Sequence, residues 1–297
     1  LFVDAAPDLA TGRTEHVVAP DQAEKIIDVV AARETVPGFS RLVALPEVFT
    51  TRWSLNPRRF VHTGSSTTAL PDVRSTIFGG VPIAEIAQEA ERFAAFGIDL
   101  MSLFPARDHH HVDFPTMDPD AIVSHIHGCA TDSTQAFHRG YADAWAATRQ
   151  RLTELAGTGD LLPSRDELLA VLLQTLTPQQ ILTRHQLMGG FGAWWEQHRD
   201  DLRALDRHGL PGLLARRLTP EDQARGGDTP TTEQALADLG NDLSTTFQKL
   251  IAAERDALVA TYRIWVDRYA TPLIELERRR DEVAAQFKAR WGHLETR

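Results

Sequence analysis

Most hydrophobic positions along this chain fall at helical spacing, and the exceptions gather at its front. Leu1-Phe2-Val3 is a short apolar run closed by Asp4-Ala5-Ala6-Pro7, the pattern of a strand end reaching a sheet edge. A lone strand end cannot bury itself, so the pattern predicts a sheet built from residues upstream of Leu1 and an α/β protein larger than these residues. After a polar stretch, Pro20 stands where a first helical turn tolerates it, with Asp21 and Glu24 near the positive helix end. Ile26, Ile27, Val29 and Val30 make the stripe of that helix, and Pro37-Gly38 breaks it. Leu42-Val43-Ala44-Leu45 predicts a second strand, Pro46-Glu47-Val48-Phe49 a turn of helix, and residues 55–61 an extended segment.

Past residue 65 the pattern predicts helices and no strand ladder. Residues 70–80 carry a short helix ending in Gly79-Gly80. Pro82 opens another, with Ile83, Ile86, Ala90, Phe93 and Phe96 on one face and Gly97 closing it. Residues 104–120, rich in proline and histidine, predict a loop, and 137–155 a helix with Tyr141, Trp145 and Leu152 on one face. Ser164-Arg165-Asp166-Glu167 has the form of a capping box, and Thr177-Pro178-Gln179-Gln180 that of a second, whose helix runs toward Trp194 and Trp195. Polar residues 221–232 predict a surface linker. From Leu258 a last stripe follows: Tyr262, Trp265, Tyr269, Leu273, Leu276, Val283, Phe287, Trp291 and Leu294, with Arg280 at a skipped position. Pro272 predicts a kink at 268–272.

Composition narrows the class. At 297 residues and 42% hydrophobic content the chain can form about two domains. A net charge of −10 argues against a broad basic DNA-binding face. One cysteine, Cys129, excludes an intramolecular disulfide and fits a reducing cytoplasm. No apolar run reaches the ~20 residues a membrane helix needs.

The first sixty residues also carry a resemblance. Leu1-Phe2-Val3-Asp4-Ala5, Glu24-Lys25-Ile26-Ile27-Asp28, Phe39-Ser40-Arg41-Leu42-Val43, Glu47-Val48 and Leu55-Asn56-Pro57-Arg58-Arg59-Phe60-Val61 stand in the order and spacing of one family. They resemble the end of the methyltransferase domain in the modification subunit of type I restriction–modification systems. The chain departs from that pattern at Pro57, which follows Asn56 directly where the family has an aliphatic residue between them. Weaker similarity continues at Gly79-Gly80-Val81-Pro82, at Ala193-Trp194-Trp195-Glu196 and in the C-terminal helix.

The resemblance implies a mainly α chain behind a remnant of an α/β methyltransferase domain. Residues 1–63 would be the edge of that domain, 70–228 a helical domain and 230–297 a long C-terminal helix for subunit assembly. The full protein would transfer a methyl group from S-adenosylmethionine to adenine N6 in DNA. Its partners would be a specificity subunit and a restriction subunit, with DNA engaged through the complex and no membrane. Along the C-terminal helix, Leu273, Leu276, Val283, Phe287, Trp291 and Leu294 would meet a helix of the specificity subunit. The alternative is a stand-alone helical interaction module without catalytic activity.

Other motifs are weaker. Gly189-Gly190-Phe191-Gly192 suggests a nucleotide loop, but it lies in a helical pattern rather than after a strand, so a helix break against Trp194 and Trp195 is expected instead. Asn56-Pro57 is half of the Asn-Pro-Pro-aromatic motif that holds a target base, and Arg58 and Arg59 stand where its remainder would be. This chain alone is therefore expected to bind no cofactor and to lack catalytic residues. Arg58 and Arg59 are candidate DNA contacts. The Arg278-Arg279-Arg280 run, flanked by acids, predicts a solvated helix face. His109, His110, His111, His125, His127 and His138 cluster without a standard metal spacing, which predicts a polar loop rather than a metal site.

Overall fold

A computed structural model describes residues 1–6, 10–11, 16–36, 38–61, 71–116, 118–217 and 231–295. The chain is mainly helical: 73% helix against 4% strand, the strands being three two-residue antiparallel pairs among the described residues. It divides into two units. One holds Leu1–Ala69 and Gln135–Ala252, the other Leu70–Thr134 and Ala253–Arg297.

In the first unit β1 (Phe2–Val3) pairs with β4 (Ser40–Arg41), and β2 (Ala10–Thr11) with β3 (His16–Val17). The strand end at Leu1-Phe2-Val3 therefore finds its partner downstream, in this same segment. The second strand falls at 40–41 rather than 42–45, because Leu45 already begins α2 (Leu45–Thr50) with Pro46 in its first turn. Arg41 ties the two together through a two-pronged contact with Glu47, at 2.7 and 3.2 Å. Residues 57–59 are not extended but form a 3-10 turn, because the Asn56 side chain accepts from Arg58 N at 3.1 Å. Phe2 stacks on buried Phe60 with ring centroids 4.3 Å apart, giving this small segment its apolar anchor.

α1 (Pro20–Ala32) begins at its proline as predicted and lies on α8 (Arg184–Gln197). α8 runs unbroken through Gly189-Gly190-Phe191-Gly192, which corrects the expected helix break. A Cβ on Gly189 would sit 2.3 Å from Asp21 N, and one on Gly190 2.9 Å from Phe247 Cε1. These glycines let neighbouring helices approach; they do not end this one. The capping box of α8 is Thr183–Gln186, six residues later than expected, since Thr177–Gln179 closes as a 3-10 turn with Gln180 in the left-handed region. α7 (Arg165–Leu176) starts where predicted, yet the Ser164 hydroxyl caps nothing. α9 (Arg199–Arg217) bends at Gly209, whose φ of 66° only glycine adopts freely, ahead of Pro211.

α6 (Pro119–Leu155) and α10 (Thr232–Tyr269) belong to both units, the former giving 135–155 and the latter 232–252 to the first. Trp194 donates its indole N–H to Leu239 O at 2.9 Å, and Tyr141 its hydroxyl to Gly240 O at 2.6 Å. Both rings are buried, and burial pushes the Tyr141 phenol above its usual range despite a hydrogen bond from Ser244. Each large ring contributes about 1.5–3 kcal/mol when fully covered, and here each also satisfies its polar tip.

The second unit holds α3 (Val73–Phe78), α4 (Ile83–Ala95), α5 (Leu100–Leu103), the rest of α6 and α10, and α11 (Leu273–Glu295). Here β5 (Val81–Pro82) pairs with β6 (His111–Val112), a ladder the apolar pattern did not predict because two-residue strands have no period. α6 begins at Pro119, so His125 and His127 lie on a helix, not in a loop. Phe93 stacks on Trp265 at 6.0 Å, and Phe104 meets the same indole edge-on at 5.9 Å. Residues 221–230 of the expected linker lie outside the described residues, and Thr232 already begins α10.

Candidate partner interface

α11 is set by how α10 ends. Tyr269 closes α10 and is buried; its hydroxyl donates to Glu85 Oε1 at 2.7 Å and accepts from Asp72 N at 3.1 Å. Asp72 caps α3 through Ser75 N at 2.7 Å, which holds its carboxyl below the usual range. The chain then bends at Ala270-Thr271, and Pro272 O accepts from Glu275 N at 3.0 Å to start α11. Gly79, in the left-handed region with φ of 80°, seats against this proline: a Cβ there would lie 3.3 Å from Pro272 Cγ. The expected kink is thus a complete break between two helices.

Beyond that anchor the apolar row of α11 is exposed among the described residues. Leu273, Leu276, Val283, Phe287 and Trp291 are 47, 49, 64, 62 and 53% exposed. The side chain of Leu294 lies outside the described residues, although its backbone is helical. Phe287 and Trp291 stack on each other at 5.6 Å without a further cover. By contrast the same stripe before the break, at Leu258, Tyr262, Trp265 and Tyr269, is buried. The rest of the α11 surface is held by its own ion pairs: Glu275 with Arg278 and Arg279, and Arg278 with Glu282. Hydrogen bonds from Arg278 and then Arg279 pull the Glu275 carboxyl down to about 2. A helix with a satisfied charged face and a wet apolar row is the form of a docking element.

A second exposed apolar surface lies in the first unit, and the sequence reading missed it. Leu42, Leu45, Phe49, Trp53 and Leu55 are all more than half exposed, with Phe49 and Trp53 edge-to-face at 5.6 Å. Its signal was present in the apolar residues of 42–55, which no regular period assigns to a face. Arg58 and Arg59 lie in the same segment, both exposed; Arg58 Nε is 3.7 Å from Asp4 Oδ2. Asn56 spends its side-chain oxygen on the Arg58 cap.

The histidines do not converge. His125 meets Cys129 one turn on, with Nε2 3.5 Å from Sγ. Buried His111 lies between Asp108, 3.0 Å from Nδ1, and Asp72, 3.6 Å from Nε2. His109 and His110 are exposed, and His138 packs beside Phe137. No set of three metal-ligating side chains comes together among the described residues. His198, which no sequence motif singled out, is the more perturbed ring: its Nε2 is 3.3 Å from Asp242 Oδ2 without the alignment of a hydrogen bond. Burial lowers its pKa, against the opposing pull of Asp242 and Asp201. Among the described residues no helix is long and apolar enough to cross a membrane.

Searches of family models, of curated proteins and of solved structures find no match to this chain.

Proposed function

We propose that this chain is the assembly end of a type I restriction–modification DNA methyltransferase subunit. In this reading residues 1–63 are the edge of the catalytic domain, and the wet face of α11 docks on a helix of the specificity subunit. The observation that carries it is the exposed row Leu273, Leu276, Val283, Phe287 and Trp291 on a helix that meets α3 near its start. At about 1.5–3 kcal/mol for each such side chain fully buried, a partner helix has a large incentive to cover it. The motif order at residues 1–61 supplies the family, and the exposed Leu45, Phe49, Trp53 and Leu55 supply a second surface where a neighbouring domain would sit.

S-adenosylmethionine and the flipped adenine would be held by the methyltransferase domain rather than by these residues. Among the described residues the glycine run packs α8 against its neighbours, and the Asn56 side chain caps Arg58 N. The restriction subunit would join through the complex, and the complex would carry the DNA contacts, with Arg58 and Arg59 as the candidate contacts in this chain.

Co-expression with specificity and restriction subunits encoded beside this chain tests the reading. A stable complex on gel filtration, lost on Phe287→Ala with Trp291→Ala, is expected. No complex with either subunit would turn the reading toward a stand-alone interaction module. Calorimetry on the chain by itself is expected to show no saturable S-adenosylmethionine binding; micromolar binding would contradict the assignment.

A further inference from the structure

The docking row of α11 has a charge in its middle. Leu273, Leu276, Arg280, Val283 and Phe287 follow steps of 3, 4, 3 and 4, the seam of a coiled coil, before one four-residue step to Trp291. Leu276, Arg279, Arg280, Val283, Ala284 and Phe287 line a shallow depression on this face. A side chain from a facing helix fits such a hole. Arg280 is 68% exposed, and its guanidinium reaches Asp281 Oδ1 at 2.8 Å. Asp281 is the next residue, about 100° further round the helix, so it points away from the seam. Arg279 is drawn to the flank by Glu275 at 2.8 Å.

We propose that the α11 face takes an amphipathic helix of another protein that presents a carboxylate opposite Arg280. This rests on the reading of α11 as a docking helix and names the chemistry of its partner. Asp281 Oδ1 takes the Nε and Nη2 edge of the Arg280 guanidinium; covering the row takes the rest of its planar fork of donors out of water, which is unfavourable unless a carboxylate across the seam meets it. A second copy in parallel would set Arg280 against Arg280. An antiparallel copy centred on residues 273–287 would again set Arg280 against Arg280. A membrane surface is a poor cover because the apolar stripe is narrow and Glu277, Asp281 and Glu282 flank it. A single charged position in an otherwise apolar seam also fixes register, since sliding by one heptad would part Arg280 from the facing carboxylate and leave that carboxylate against an apolar residue.

The test uses the full chain and three labelled helical peptides of about three heptads with leucine at both seam positions. The central first-seam position is Glu, Leu or Lys. Fluorescence anisotropy at about 0.15 M salt is expected to rank Glu above Lys by about tenfold or more. Arg280→Glu should reverse that ranking and Arg280→Leu should level it, with helix content checked by circular dichroism. Phe287→Ala should weaken all three peptides. Equal binding of the three peptides overturns the carboxylate inference and leaves the docking reading standing. Binding of none overturns both. Sedimentation showing a dimer that Phe287→Ala dissolves, or anionic vesicles binding the chain where the peptides do not, overturns this choice of partner.

Discussion

The glycine run of α8 allows a sharp prediction, because three glycines in four residues face different neighbours. At Gly189 an added Cβ would stand 2.3 Å from Asp21 N and 2.4 Å from Asp21 Cα, both backbone atoms of α1. A normal carbon contact is about 3.5–4.0 Å, so α1 must retreat by more than an ångström along its contact with α8. Overpacking of this kind costs ~1–3 kcal/mol and sometimes more. Against it stands the gain of roughly 0.8–1 kcal/mol from replacing a helical glycine by alanine. Gly189→Ala is therefore expected to destabilise the first unit by up to about 2 kcal/mol, the difference between these two effects. At Gly192 the nearest atoms would be Arg165 Nη2 at 3.5 Å and Glu24 Oε1 at 3.6 Å, ordinary contacts to side chains. Gly192→Ala should keep the propensity gain and stabilise by about 0.5–1 kcal/mol. Urea unfolding of both variants, with intrinsic fluorescence reporting Trp194 and Trp195, measures the two signs. If Gly192→Ala destabilised as much as Gly189→Ala, the run would be serving something other than helix approach.

Three further outcomes follow from the geometry. Phe287→Ala with Trp291→Ala should lower the melting temperature of the isolated chain by only a few degrees. The two side chains are 62 and 53% exposed, so together they supply about 1–2 kcal/mol of its own stability. A large drop in melting temperature with assembly unchanged would place them in the chain's own core. Tyr269→Phe removes both the donor to Glu85 and the acceptor for Asp72 N; equilibrium unfolding should show a loss of about 1–2 kcal/mol, and an unchanged midpoint would mean these bonds are not made. Burial keeps the folded-state pKa of His198 below its ordinary 6.5, so the unfolded chain binds that proton first. Its contribution to stability is complete above about pH 6.5 and falls as the pH drops toward the folded value. His198→Gln should flatten stability measured between about pH 7 and 5.5, and an unaltered slope would refute the assignment.

Local chemistry decided much of what the sequence made legible. Pro20 at a helix start, the close of α4 before Gly97 and the break at Pro272 depend on φ limits and missing donors within a turn, so neighbouring residues suffice to fix them. The stripe on α10 and α11 was equally visible, since helical spacing alone sets which residues share a face. What that stripe touches was not visible. Tyr262 and Trp265, three residues apart, and Val283 and Phe287, four apart, both keep helical spacing, yet the first pair is buried and the second exposed. Only the tertiary structure separates them: Phe93 and Phe104 cover one half, while the other half is exposed among the described residues. The same holds for Gly189, whose meaning comes from Asp21 on another helix, and for His198, which folding buries beside Asp242 of α10. It holds too for Ser164, whose sequence permits a cap that the folded chain does not make. Torsional preferences and periodicity act over a few residues and are written in order along the chain, whereas burial, close approach and charge neighbourhood belong to pairs that only folding brings together.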